Sequence, residues 1–326
     1  MILSVIIPVY NGEKYLEKCI RSVLCALPKG GEIIVANDGS TDGTAQVLCG
    51  FSDARIKVLN LPHKGVSGAR NAALKETRGK WISFVDADDE VKKGIFETLL
   101  KEADEDTEFV CCSREKVYSG GQTFKAITSM GEDKKILAGE KDIYREIFYD
   151  NFGSAVWGRL FKKEIIDRYS LRFREDMVIL EDMCFIADYV LRMEKRAVFL
   201  SDRLYIYTIQ AQTPVKKGQI KDLKKGYGHI IRLGYSISPK TGQLMELTYT
   251  DRLSRAVAKL PLIGKSEDEK ELIRQYRHYS KKAIVSHETG AFRKVYYFAL
   301  GAFPNLSGII LKAAISIMRR CKRTVD

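Results

Sequence analysis

Proline is scarce in this chain, seven in 326 residues, and no stretch shows low complexity or an internal repeat. Disordered and repeat architectures are therefore excluded, and the length suits one large domain or a domain plus an appendage. The seven cysteines (Cys19, Cys25, Cys49, Cys111, Cys112, Cys184 and Cys321) are odd in number, and no pair has a metal-ligand spacing such as C-x-x-C. A reduced, cytosolic compartment fits best. Neither a basic n-region nor a cleavage site accompanies the first apolar run, Ile2–Ile7, so no signal peptide is expected. No G-x-G-x-x-G follows that run, which argues against a dinucleotide-dependent oxidoreductase. Nucleic-acid modules are also missing. The formal net charge of +12 then points to a phosphorylated ligand or an anionic membrane, or to a basic surface serving solubility.

An unbroken membrane-spanning run is missing too. Phe298–Met318 comes nearest, but Pro304, Asn305 and Lys312 interrupt it. Followed by Arg319, Arg320, Lys322 and Arg323, it reads as a helix lying in the plane of an anionic membrane; the competing reading is a core helix packed on the rest of the chain.

What the chain does have is alternation. Apolar runs at Leu3–Pro8, Glu32–Ala36, Ile56–Leu61, Trp81–Val85 and Phe109–Cys112 read as strands. Between them, apolar residues recur at helical spacing (Tyr15, Leu16, Cys19, Ile20, Val23, Leu24), and helices are predicted over Thr44–Leu48, Ser67–Thr77 and around Ile95–Leu100. This order predicts an α/β fold with a mostly parallel, Rossmann-like sheet flanked by helices. From about 114 the pattern loosens, with loops at Ser119-Gly120-Gly121 and Ser129-Met130-Gly131 and helices over Lys141–Tyr149 and Glu181–Lys195. One or two strands follow over Ala197–Tyr207. Beyond Pro214 the composition turns basic and helical (Lys216, Lys217, Lys221, Lys224, Lys225), which sets a boundary near 215.

Four elements fall where strands deliver residues to one sheet edge, the usual ligand crevice of such sheets. Pro8-Val9-Tyr10-Asn11 offers backbone groups and an aromatic ring to a planar base. Asp38 can accept a hydrogen bond from a base N–H or a ribose hydroxyl. Gly65-Val66-Ser67-Gly68-Ala69-Arg70-Asn71 opens a helix, where anions are favoured, and Arg70 can fork onto a phosphate. Asp86-Ala87-Asp88 offers hard oxygens to a divalent cation that shares phosphates. Individually each has a duller reading: a turn, a cap, a solvated helix arginine, an Asp-rich turn. Together they describe base, ribose, diphosphate and metal.

The order SVIIPVYN, EIIVANDGSTDGT, GVSGARNAAL, WISFVDADD resembles the family 2 glycosyltransferases with the GT-A fold. Val156-Trp157-Gly158-Arg159-Leu160-Phe161 is similar to that family's W-x-K-L-F segment, and Leu180-Glu181-Asp182-Met183-Cys184-Phe185 to its E-D-x-x-F motif. The resemblance covers residues 1 to about 207. It implies a GT-A domain over 1–215, with a nucleotide-binding half (1–113) and an acceptor-side half (114–215), and a basic helical region over 216–326. It also implies donor contacts from Pro8, Tyr10, Asn11, Asp38, Gly65, Arg70, Asp86 and Asp88. Asp88 would bind Mn²⁺ or Mg²⁺, and Asp182 would act as general base with Glu181 in reserve. The implied reaction is inverting transfer of one sugar from a nucleotide-sugar donor, UDP-linked, to a saccharide or lipid-linked saccharide in surface-glycan synthesis. It would take place at the inner face of the cell membrane. A non-catalytic subunit that binds sugar nucleotide or glycan is the alternative.

The chain departs from the family pattern in two places. Asn37-Asp38 stands where two acids are usual. Leu204–Thr213 has neither Arg nor His, so no third protein ligand for the metal is expected there, and water would complete its shell. No Q-x-x-R-W and no bundle of apolar helices occur, which favours single-sugar over processive transfer.

Overall fold

The computed structural model describes residues 1–118, 123–124, 133–150, 155–209, 219–257, 267–286, 294, 296–298 and 300. In chain order the elements are β1 (Leu3–Val9), α1 (Leu16–Ala26), β2 (Gly31–Asn37), α2 (Thr44–Cys49), β3 (Ile56–Asn60), α3 (Gly65–Glu76), β4 (Trp81–Phe84), β5 (Glu90–Val91) and α4 (Ile95–Lys101). Then follow β6 (Thr107–Tyr118), β7 (Thr123–Phe124), β8 (Lys134–Leu137), α5 (Glu140–Arg145), a π-helical turn (Glu146–Asp150), β9 (Arg159–Lys162), α6 (Lys163–Arg168), α7 (Glu181–Val190) and β10 (Arg196–Ile209). Three long helices come next: α8 (Gln219–Ile237), α9 (Pro239–Val257) and α10 (Glu267–Val285).

One sheet organises the first compact unit, Met1–Gly226, in the order β3-β2-β1-β4-β9-β6-β10-β5, with β7 beside β6 and β8 beside β10. β1 pairs in parallel with both β2 and β4, and β2 with β3. A strand covered on both faces needs apolar residues throughout, and every residue of β1 is buried. The one charge inside this layer, Glu32 on β2, is matched: it accepts from Ser4 Oγ at 2.7 Å and from the Arg78 backbone N–H at 2.7 Å. Gly79 permits the close approach that this needs, since a Cβ there would lie 2.4 Å from the Ser4 nitrogen.

The alternation of the first hundred residues is present as expected. The second half differs in one respect that shapes the site. β9 inserts antiparallel between β4 and β6, which themselves belong to parallel pairs. Four residues sufficed for β9, too few to show a period in the sequence. α7 stops at Val190 rather than continuing to Lys195, and β6 runs on to Tyr118 rather than ending at Cys112. Phe84, Phe161, Phe173 and Phe185 fill the layer under α7, with Phe173 and Phe185 stacked at 4.2 Å and 3°.

The first unit reaches past residue 215 to Gly226. Asp222, in the first turn of α8, accepts from the Val178 and Ile179 N–H groups at 2.7 and 3.2 Å and so holds the segment before α7. The second unit, Tyr227–Asp326, is helical where described. Tyr227 stacks on Tyr249 at 4.6 Å, and Tyr276 donates to the Tyr297 carbonyl at 3.0 Å. No helix among the described residues is long and apolar enough to cross a membrane. The loops expected at 119–121 and 129–131, the lysines at 216 and 217, the end of the 204–213 segment, and the basic run at 319–323 lie outside the described residues. So does nearly all of the segment expected at the membrane, 298–318.

Candidate active site

The ends of β1, β2 and β4 and the starts of α3 and α7 surround a pocket of about 810 Å³. Of the residues singled out from the sequence, Pro8, Tyr10, Asp38, Gly65, Arg70, Asp86, Asp88 and Glu181 line it together. Asn11 and Asp182 do not.

Asn11 serves a different purpose from the base contact expected of it. It sits in the left-handed region (φ 54°), its N–H donates to Ser40 Oγ at 2.9 Å, and its Oδ1 accepts from the Thr41 N–H at 2.8 Å. The turn after β1 is thus laced to the turn after β2, and Asn11's backbone donor is already committed.

Asp38 is almost fully buried. It accepts from the Lys64 and Gly65 N–H groups at 2.8 and 2.9 Å, and His63 Nδ1 lies 2.8 Å from its Oδ2. The positive end of α3 does attract an anion, as expected, but that anion is Asp38 itself. Gly65 takes φ +82°, a conformation that bulkier residues resist. His63 went unnoticed in the sequence because a lone histidine in Leu-Pro-His-Lys carries no pattern. It stacks under Tyr10 at 4.2 Å and 27°, and Tyr10 is 45% exposed. The two rings form one wall of the pocket.

Arg70 is the centre of the site. Only 2% exposed, it contacts Asp182 Oδ1 at 2.6 Å and Glu181 Oε1 at 3.3 Å through Nη1, and Asp86 Oδ1 at 2.9 Å through Nη2. Burial opposes its charge, but Asp182, Asp86 and Glu181 together hold its pKa above the ordinary value. The expectation that Arg70 points a free fork at phosphate is therefore corrected: both terminal nitrogens are engaged by carboxylates. Arg70 Nε and the Ser67 hydroxyl, both buried, make no hydrogen bond in the structure. Both residues line the pocket.

The paired acids at the start of α7 have pKa values raised by burial. Asp182 adds to the rise at Glu181, and Arg70 opposes it at both. Asp182 Oδ2 accepts from the Val156 N–H at 3.3 Å. Asp89 is pushed up to about 8 by burial and by Asp86, against hydrogen bonds from Thr208 and Tyr205. Asn71 explains the tail of the glycine-rich motif. Its side chain accepts from the Phe173 N–H at 2.8 Å and donates to Glu175 at 3.0 Å. That brings Glu175, Met177 and Val178 onto the pocket, residues without any motif of their own.

Asp86 and Asp88 offer only hard oxygen donors on a shared wall. Among the described residues, no group of three His, Cys, Asp or Glu side chains is arranged to hold a metal. This donor set fits a divalent cation that takes its remaining ligands from a bound diphosphate and from water.

Residues 4–170 match the model of the family described as Glycosyl transferase family 2. Over 235 residues the chain is 32% identical to the uncharacterized glycosyltransferase EpsJ of Bacillus subtilis, spanning 69% of this chain and 67% of that one. It is 31% identical over 239 residues to the GalNAc(5)-diNAcBac-PP-undecaprenol beta-1,3-glucosyltransferase of Campylobacter jejuni, spanning 72% of this chain and 71% of that one. Among solved structures, residues 1–349 of S. aureus TarS in complex with UDP are similar at a TM-score of 0.70 and 20% identity, covering 94% of this chain and 89% of that one. That likeness is one of fold.

Proposed function

Because this chain belongs to glycosyl transferase family 2, we propose that it is an inverting, metal-dependent transferase that moves one sugar from a UDP-sugar to a saccharide or lipid-linked saccharide acceptor. The setting would be surface-glycan synthesis at the cytoplasmic face of the membrane, with the protein attached peripherally to its anionic surface. The observation that carries the reading is the ring of carboxylates around Arg70, of which Asp86 and Glu181 line the same pocket as Tyr10, His63 and Asp38 while Asp182 lies behind it on Arg70. A lipid-linked acceptor is supported by the Campylobacter relative, a glucosyltransferase named for a PP-undecaprenol acceptor, and a UDP donor by the UDP complex of TarS.

Tyr10 and His63 would flank the base, with the Asp38-braced turn setting its edge. Asp86 would lie beside the ribose. Asp88 would hold the divalent cation, which when bound supplies positive charge beside the two phosphates of the leaving group. Ser67 and Arg70 line the same wall, and their buried Oγ and Nε make no hydrogen bond in the structure. Asp182 would be the general base. The acceptor oxygen forms its bond to the anomeric carbon as the bond from that carbon to the phosphate oxygen breaks. The hydroxyl proton passes to the carboxylate, and the electron pair leaves with the nucleoside diphosphate. Arg70 keeps Asp182 in place and favours its ionised, proton-accepting form. Glu181, which lines the pocket, is the second candidate.

Donor turnover and nucleotide binding test this directly. Asp88→Ala and Asp182→Asn should each abolish transfer, and only Asp88→Ala should weaken metal-dependent nucleotide binding. Undiminished transfer by Asp182→Asn with loss in Glu181→Gln would move the base to Glu181. Tight nucleotide binding without transfer or donor hydrolysis, across a broad acceptor panel, would reduce the protein to a binding subunit.

A further inference from the structure

Beside the pocket lies a shelf built from β6, β10 and the residue two before β9. Across the parallel β6–β10 pair, Tyr205 is in register with Arg114 and Tyr207 with Lys116. Trp157 stacks on Tyr205 with centroids 4.5 Å apart and planes at 10°, and on Tyr207 at 5.5 Å and 22°. The Arg114 guanidinium carbon lies 5.3 Å from the centre of the Trp157 ring. None of Arg114, Lys116, Trp157 and Tyr207 lines the 810 Å³ pocket itself.

Two hydrogen-bonded links tie the shelf to the acids of the site. The Tyr205 hydroxyl accepts from the Asp86 N–H at 3.2 Å and donates to Asp89 at 2.7 Å. Val156, the neighbour of Trp157, donates its N–H to Asp182. The shelf therefore adjoins both the acid assigned to the donor's ribose and the acid assigned to the acceptor's proton.

Its charge is unusual. Arg114 and Lys116 are both half-buried, and among the described residues neither makes an ion pair. The acid between them, Glu115, is committed to Lys92 at 2.6 Å. Burial disfavours the charged form of both, and a neighbouring cation adds to the effect, Arg159 for Arg114 and Arg114 for Lys116. Clustered, partly desolvated cations carry a cost that an incoming anion relieves, and a desolvated cation binds phosphate more strongly than an exposed one. The aromatic face next to them suits the C–H face of a sugar ring.

We propose that this shelf is the acceptor subsite and that the acceptor carries a phosphate or diphosphate, read by Arg114 and Lys116 while Trp157 and Tyr207 hold the adjoining sugar. The proposal rests on the transferase reading above and specifies its acceptor class.

The test uses the full chain saturated with UDP and Mn²⁺, so that the donor subsite is filled. Calorimetric titration compares a short-chain prenyl diphosphate-linked N-acetylhexosamine with the neutral octyl glycoside of the same sugar. Wild type should bind the diphosphate probe at least tenfold more tightly. Lys116→Gln should narrow that gap and Arg114→Gln/Lys116→Gln should close it, with UDP binding reporting that each variant is folded. Equal affinity of wild type for the two probes, or a full gap in a folded double variant, would overturn the proposal. Phosphatidylglycerol vesicles form a further arm: if they displace the probe competitively, the shelf reads lipid headgroups and the acceptor assignment falls. Failure of wild type to bind UDP at all would instead remove the transferase reading.

Discussion

Arg70 Nη1 lies 2.6 Å from Asp182 Oδ1, across 112 residues of sequence, and the same guanidinium holds Asp86 through its other terminal nitrogen. One side chain thus joins the acid assigned to the acceptor to the acid assigned to the donor. Arg70→Ala should leave three carboxylates facing one another with no counter-charge. Breaking such a buried pair costs about 3–5 kcal/mol. A fall in melting temperature on the order of 10 °C is expected, together with loss of transfer. Asp182→Asn, which removes only one negative charge, should melt close to wild type and still lose transfer. Thermal denaturation and donor turnover, measured on both variants, check the contrast, and equal destabilisation of the two would contradict it.

Metal removal should act on the nucleotide rather than on the fold. UDP with Mn²⁺ should raise the melting temperature, as any ligand of the native state does. EDTA should abolish most of that rise, and excess Mn²⁺ or Mg²⁺ should restore it. Asp88→Ala should show little response to metal. A UDP-induced rise that survives EDTA unchanged would remove Asp88 from the role assigned to it.

The ring pair Tyr10–His63 should contribute to donor affinity. Stacked aromatic pairs are worth about 0.5–1.5 kcal/mol beyond area burial, so His63→Ala and Tyr10→Ala should each weaken UDP binding by roughly 3- to 10-fold. The rate at saturating donor should change little. Titration calorimetry with UDP reads this effect, and unchanged affinity in both variants would place the base elsewhere.

Asp89 gives the pH dependence a sign. Its carboxyl is raised from the ordinary 3.8 to about 8 in the folded chain. Between those values the native state holds a proton that the unfolded chain has released. Stability contributed here is therefore lost as pH rises through the window, and is level below about 4 and above about 8. Asp89→Asn, which cannot ionise, should flatten that slope. Denaturant midpoints measured from pH 4 to 8 decide it, and parallel slopes in the two proteins would rule it out.

Much of the site was legible in the sequence because its parts are local. A strand that must be buried on both faces reads as an apolar run, and the residues that break it, such as Asp86 and Asp88, stand at its end on the wall of the pocket. Tyr10, Asp38, Gly65 and Glu181 are legible the same way, each next to an element boundary, and Arg70 through the glycine-rich motif that opens α3. Side-chain direction was not legible. Nothing in Gly-Ala-Arg-Asn says that Arg70 faces inward to three carboxylates, or that Asn71 reaches Phe173 and Glu175 more than a hundred residues on. Asn11 illustrates the converse: it sits in a motif yet braces a turn outside the pocket.

The sequence by itself determined the alternation of strands and helices, the parallel core of β1–β4, and the set of acids at its edge, because periodicity and strand ends are properties of neighbours along the chain. Tertiary structure alone decided that β9 inserts antiparallel and sets Trp157 over Tyr205 and Tyr207. It likewise decided that Asp38 fills the start of α3, and that one buried arginine gathers Asp86, Glu181 and Asp182. Those arrangements depend on which distant groups must share a low-dielectric interior. A buried charge is stable only where its partners converge, and that convergence is a property of the packed chain.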